Sequence, residues 1–380
     1  MDRWLICTNQ PFNMVENFCF LEFLDVVKKC HPSWWSSKRD KMRTKQLDGQ
    51  FKLVGEDTQS LVKKWERTGC MLQMAGWSDW RNKPHLNVMV SFPAGTVFSK
   101  SVCMEGREND STTYFKMLDG VIQEISAASI VGVVMDNAKV CAKAGEMADA
   151  KYLGIFSVGC TTHALDLALE DMYTYIDCLK TVVDNDNKVG KFFTNVDKVR
   201  AMYNRIADAQ LKRSTVTRFT TNFEMLLSLS TGRNLLEHCV CNVAWVEKLV
   251  RGEQVAPFNV VTHIIMDTNG FWKDVDMTLA VMKPVVKLLR LVDGPGATMS
   301  KVYFGMDAVV ATMRTLDGLL DAEKANVEKI LMDRWAFMTS ELHCVAIFLD
   351  PEYMTHTLRD MQICEGFNIW LYFWAPPELL

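Results

Sequence analysis

Ile130-Val131-Gly132-Val133-Val134-Met135-Asp136-Asn137 is the stretch on which the reading of this chain turns. The run from Ile130 to Met135 has no polar interruption, as expected of a short strand covered on both faces. It stops at Asp136-Asn137, where Asn137 is expected to cap a helix reaching about Lys151. A buried strand followed at once by a helix is the start of a βα unit, with a carboxylate at the edge of the sheet.

Working outward, Ser111 to Ile125 places Phe115, Leu118, Val121, Ile122 and Ile125 on one helical stripe. Before it, Cys70 to Met74, Leu86 to Phe92 and Thr96 to Met104 read as three strands, the last two joined by Pro93-Ala94-Gly95. After it, Ile155 to Val158 is another short buried strand. Thr161 or Thr162 then opens a helix with Leu165, Leu169 and Met172 on one side. The order β-β-β-α-β-α-β-α predicts a mixed sheet flanked by helices.

The flanks differ in character. Upstream, Leu61 to Thr68 reads as a short helix, and Lys38-Arg39-Asp40-Lys41-Met42-Arg43-Thr44-Lys45 is a basic run suited to a solvated linker or a nuclear localisation signal. Beyond Tyr173 the chain reads as helical. Trp272, Val275, Leu279, Met282, Val286 and Leu289 form one seam, and Met306, Val309, Met313, Leu316 and Leu320 form another. Such seams belong to the core of a helical bundle.

The totals narrow the function classes. The 380 residues carry a net charge of −4, so nucleic-acid binding would rest on a local patch and not on a basic chain. The 12 cysteines are scattered among apolar neighbours and read as buried, reduced thiols of a nuclear or cytoplasmic protein. No apolar run approaches the roughly 18 residues of a membrane helix, so no membrane association is expected.

Several segments, in order, resemble hAT-type transposases of the group found behind a BED zinc finger. They are Gly76-Trp77-Ser78-Asp79, Val133 to Ala138, Cys160 to Leu167, Thr217-Arg218-Phe219, Phe271-Trp272, Lys287 to Asp293 and Asp333-Arg334-Trp335. The resemblance is partial: a BED finger and the family's C-terminal dimerisation segment are not found. It implies α/β plus all-α architecture, an RNase H-like mixed sheet flanked by helices with a large helical insertion. The implied division is an N-terminal segment 1–68, a core 69–218, a helical insertion 219–350 and an unmatched tail 351–380.

In that family two aspartates and a glutamate hold two metal ions that drive in-line attack on a phosphodiester. Asp136 matches the second aspartate; its plainer role is to stabilise the start of a helix. The first aspartate should precede Gly76-Trp77, where this chain has Ala75, and a methyl group cannot ligate a hard cation. Asp79 would substitute only if the chain turned back. The glutamate's motif does not occur, and Glu341, Glu352, Glu365 and Glu378 qualify by residue type alone. The expectation is a catalytically inactive, transposase-derived protein with no cofactor, its ancestral Mg2+ or Mn2+ site lost.

Cys160, His163, Arg218 and Phe219 are the DNA-binding candidates. The resemblance sets the Cys160/His163 pair near the catalytic centre, although a buried thiol and a first-turn histidine need no such role. Arg218-Phe219 could grip a phosphate and stack on a base, with Arg200, Arg205, Lys212 and Arg213 adding positive charge; a solvated face with one core phenylalanine is the plainer account. His238-Cys239-Val240-Cys241 looks like a metal motif but reads as packing. DNA and protein partners both stay open. So do two other readings: a residual nuclease using Asp79, Asp136 and an unassigned glutamate, and a degenerate transposon remnant without a selected function.

Overall fold

The structure is a computed structural model and describes residues 5, 7–213, 219–242, 254–294, 296–353 and 361–374. It divides into two compact units, Met1–Lys64 and Trp65–Leu380. In the first, helix α1 (Phe18–Lys29) starts at Asn17, whose side chain accepts the Phe20 N–H. The basic run forms a short helical turn and a π-turn over Met42–Gln46, solvent-exposed almost throughout. It leads into α2 (Leu47–Thr68), which continues into the second unit. This helix begins well before the expected Leu61; its first turns carry Leu47, Phe51, Leu53 and Val54, all of them exposed.

Gly69 ends α2 at φ 72°, where a Cβ would lie 2.7 Å from the Val131 side chain. Only glycine combines that left-handed turn with so close an approach to the neighbouring strand. Strands β1 (Cys70–Ser78), β2 (Pro84–Phe92) and β3 (Gly95–Cys103) form an antiparallel meander. Helix α3 (Ser111–Ile125) carries the chain to β4 (Ile130–Met135), which lies parallel to β1 with Leu72 paired to Val133. Helix α4 (Lys139–Lys151) returns it to β5 (Phe156–Gly159), parallel to β4. The sheet order is β3-β2-β1-β4-β5. The mixed sheet flanked by helices is therefore as the strand pattern anticipated, with β1 at its centre.

From α5 (Thr161–Tyr175) onward the described chain is helical. Helices α6 (Asp177–Asn195) and α7 (Asp197–Ile206) are followed by α8 (Thr220–Thr231), α9 (Arg233–Cys241) and α10 (Val255–Met266). The longest, α11 (Phe271–Val292), packs against α5, α6, α8 and α12 (Met299–Thr315). Helix α13 (Asp321–Met338) packs on α5, and α14 (Glu341–Leu349) pairs with α15 (Met361–Trp374).

Both expected seams are present, with three corrections. Leu279 is only half-buried, Leu316 is half-buried just past the end of α12, and Leu320 lies further beyond it and is 70% exposed. Trp272 is 1% exposed and donates its indole N–H to the Ile265 carbonyl at 2.7 Å. Asp186 is enclosed on α6, and among the described residues neither carboxylate oxygen has a hydrogen-bond partner. Cys70, Cys141 and Cys239 are buried, but Cys7, Cys19, Cys103 and Cys241 are exposed, so the expectation of buried thiols holds for only part of the set. No described helix is long and apolar enough to cross a membrane.

Candidate functional site at the C-terminal ends of β4 and β5

The parallel strands bring the first group of candidates together. Beyond Met135, Asp136 emerges half-buried, and Cys160 follows directly on β5 with its N–H bonded to the Met135 carbonyl at 2.9 Å. His163, in the first turn of α5, places Nε2 3.0 Å from Asp136 Oδ1. The same Asp136 oxygen accepts the Ala138 N–H at 3.1 Å. Asp136 thus takes the place at the helix start that was expected of Asn137. The Asn137 amide turns away and donates to the Cys160 carbonyl at 2.9 Å. Ala138, with no side-chain bond, stands at the N-cap. Gly159 is needed beneath it, since a Cβ there would lie 2.7 Å from Asn137 Oδ1.

The electrostatics follow from this pairing. The hydrogen bond from His163 holds the Asp136 carboxyl below its ordinary value, against a smaller opposing effect of burial. The same bond raises His163, again opposed by burial. Burial pushes the Cys160 thiol up, away from the reactive thiolate form. Because His163 titrates above its unfolded value of 6.5, the ion pair contributes stability fully below that pH and loses it as pH rises through the raised folded pKa. Asp136, depressed from 3.8, sets the acid limit: its contribution is lost as pH falls through the lowered value. We expect His163→Ala to lower the thermal midpoint most at pH 5–6, about midway between those limits, and the gap to close toward pH 9. A gap constant across that range would show that the pair is not an ion pair. Both side chains are about two-fifths exposed, so solvent keeps the effect small.

The β1–β4 register pairs Gln73 with Val134, the last pair of that ladder, two residues short of Ala75 and Asp136. Asp79 does not turn back toward them. Its Oδ1 accepts the Arg81 and Lys83 N–H groups at 2.8 and 2.9 Å, closing the β1–β2 turn, and those bonds, Lys83 foremost, lower its pKa. Trp77 stacks on His85 across the same hairpin at 4.9 Å.

The glutamates lie elsewhere. Glu341 acts electrostatically on Asp149, which accepts the Ser157 N–H in the body of β5. Glu352 pairs with Lys301 at 3.1 Å, Glu365 is exposed on α15, and Glu378 falls outside the described residues. Among the described residues no group of three or more His, Cys, Asp or Glu side chains is placed to hold a metal ion. The donor set that a two-metal centre requires is not met among them. Cys239 is buried and Cys241 exposed on opposite sides of α9, which accounts for that motif as packing.

Arg218 lies outside the described residues. Phe219 is half-buried at the start of α8, its ring 5.3 Å from Tyr173. Its backbone N–H and that of Thr220 both donate to Asp166, at 3.1 and 3.0 Å. Asp166 lies three residues after His163 on α5 and fastens the start of α8 from a distance. Sequence reasoning assigned no role to Asp166, nor to Arg334, which reaches from α13 to bond Asp171 on α5 through Nε at 2.8 Å. Both belong to quoted motifs, but their partners lie 54 and 163 residues away for Thr220 and Asp171, so spacing alone gives no sign of the pairing.

With this geometry in view, the comparison with known families is narrow. Residues 37–189 match a domain of unknown function, DUF659, over roughly two-fifths of the chain. That match contains the whole five-stranded sheet, Asp136, Cys160 and His163. No curated protein matches the chain.

Proposed function

We propose that this chain is a transposase-derived protein of hAT ancestry that no longer cuts DNA and acts by binding DNA or a protein. DUF659 is a domain of transposase-related proteins, which supports the broader half of the reading. What supports the narrower half is the parallel pairing of β1 with β4, Gln73 beside Val134: continued two residues, it would bring the methyl group of Ala75 toward Asp136, where the chemistry needs a second carboxylate. Electrostatic stabilisation by metal ions dominates this kind of phosphoryl transfer. A lone carboxylate already held by His163 does not supply it.

The surroundings support the same reading. Asp166 and Asp136 both act on His163, and Asp293 acts on Cys160, with Arg334 opposing. Without metal ions an acidic site repels a phosphate backbone, so DNA contact needs local positive charge beside it. Arg218 and Phe219 remain the proposed grip, and nuclear residence follows from the ancestry.

The expected result is no nicking of supercoiled DNA in Mg2+ or Mn2+. Cleavage that Asp136→Ala abolishes would overturn the proposal. Anisotropy of a fluorescent duplex across a salt series is expected to show salt-sensitive binding, weakened in Arg218→Ala. No binding at low salt would direct the search to protein partners.

A further inference from the structure

A cavity of about 220 Å³ lies where α6 ends, α7 follows and the chain returns at Gln210 to Arg213. Its lining contains two charged side chains, both guanidinium groups, Arg200 and Arg213. They converge on one acceptor: Arg200 Nη1 and Arg213 Nη2 lie 3.2 and 3.0 Å from the Thr194 carbonyl oxygen. Those two nitrogens are therefore no more than about 6 Å apart. Two like charges at that separation repel unless something negative lies between or beside them. One carbonyl dipole at the end of α6 meets part of the need. Asp197 meets another part, bonded to Arg200 Nη2 at 2.6 Å, but it is 85% exposed and partners only one of the pair. The nearby Glu224 is already engaged by Lys212 at 2.6 Å.

The remaining polar lining adds donors. Asn204 and Gln210, both exposed, line the same pocket and carry amide donors. Each guanidinium offers five N–H donors in a planar fork, of which Arg200 uses two and Arg213 one. Free donors and excess positive charge at a solvent-open pocket, lined also by the buried Phe193, Tyr203 and Leu211, are the makings of an oxyanion site. The volume is below the roughly 300–1,000 Å³ of sites for drug-sized ligands, which favours a single phosphate group over a whole nucleotide.

We propose that this cavity binds a phosphate group through Arg200 and Arg213, with Asn204 and Gln210 completing the shell. The inference does not rest on transposase ancestry. The phosphate is supplied by a nucleic-acid backbone or by a free or small phosphorylated molecule, and the test separates these sources.

The thermal midpoint of the full chain is followed against inorganic phosphate, with ionic strength held constant by chloride, and DNA binding is measured by anisotropy in parallel. Phosphate is expected to raise the midpoint of the parent protein. Arg213→Gln is expected to weaken that response at least about tenfold. Asn204→Asp, which places a carboxylate in the cavity and leaves both arginine–Thr194 bonds intact, is expected to do the same. It serves as the control for folding. If DNA affinity falls with phosphate affinity in both variants, the site takes a backbone phosphate; if DNA affinity is unchanged, it takes a free phosphate or a small phosphorylated ligand. Either supports the site. A parent protein that does not respond to phosphate, or a response that Arg213→Gln and Asn204→Asp leave intact, overturns it. Absence of nuclease activity bears on neither outcome.

Discussion

Trp272→Ala should cost about 3–5 kcal/mol of unfolding free energy, the range for deleting a fully enclosed large aromatic side chain. Trp272 opens α11, where Asp267 accepts the Gly270 and Phe271 N–H groups at 2.9 and 3.1 Å and fixes the helix start. Its ring meets Phe271 edge-on at 5.1 Å, lies under the Arg233 guanidinium at 5.1 Å, and bonds to the end of α10 through its N–H. Truncation would open a cavity at the junction of α9, α10 and α11 and leave the Ile265 carbonyl without its donor. Against a total stability on the order of 5–15 kcal/mol, a loss of this size raises the unfolded-to-folded ratio by roughly two to four orders of magnitude. Urea unfolding of parent and variant measures it. A loss below about 1 kcal/mol would show that the helical core does not close around this ring.

Asp186→Asn should do the opposite at neutral pH. Burial pushes the Asp186 carboxyl well above its ordinary 3.8, and no hydrogen bond among the described residues compensates. Between 3.8 and the raised folded value the native state holds a proton that the unfolded chain has released, so stability falls as pH rises through that window. Asparagine keeps the shape and removes the titration. We expect the variant to be more stable than the parent by about 1–3 kcal/mol at pH 7 and the difference to vanish near pH 3 to 4, roughly where the unfolded carboxyl is itself protonated. Thermal midpoints from acid to neutral pH decide the matter. A variant that is equally destabilised at every pH would mean that the carboxyl has a role in the core beyond its charge.

These two residues mark how far the sequence could be read. Trp272 was visible because it starts a seam repeated every three or four residues, and repetition survives without knowledge of the partner helices. The same holds for Ser111–Ile125 and Ile130–Met135, whose bounds agree with the expected ones. Asp186 gave no such signal: an aspartate among Asp184, Asn185 and Asn187 looks like part of a polar helix face, and only the packing around α6 turns it inward. In the site, Asp136 and His163 were expected near each other on resemblance, but the bond between them is a matter of where β5 delivers α5. Asn137 was misread for a related reason. Its residue type suits a cap, yet the carbonyl of Cys160 on the next strand competes for its amide and prevails, while Asp136 serves the helix.

The position of β1 has a consequence for the order in which the protein assembles on the ribosome. Its antiparallel partner β2 follows after a short turn, but its parallel partner β4 begins only at Ile130, whereas β1 begins at Cys70. Hairpins close in microseconds, while translation adds only about 5–20 residues each second. The meander β1-β2-β3 is therefore complete seconds before β4 leaves the exit tunnel. For that interval the most central strand of the finished sheet has an open side, with Leu72 and Met74 beside it awaiting cover. The nascent chain is at its most sticky then, and a chaperone that holds extended apolar segments would find its target there, in a strand that the completed fold no longer presents.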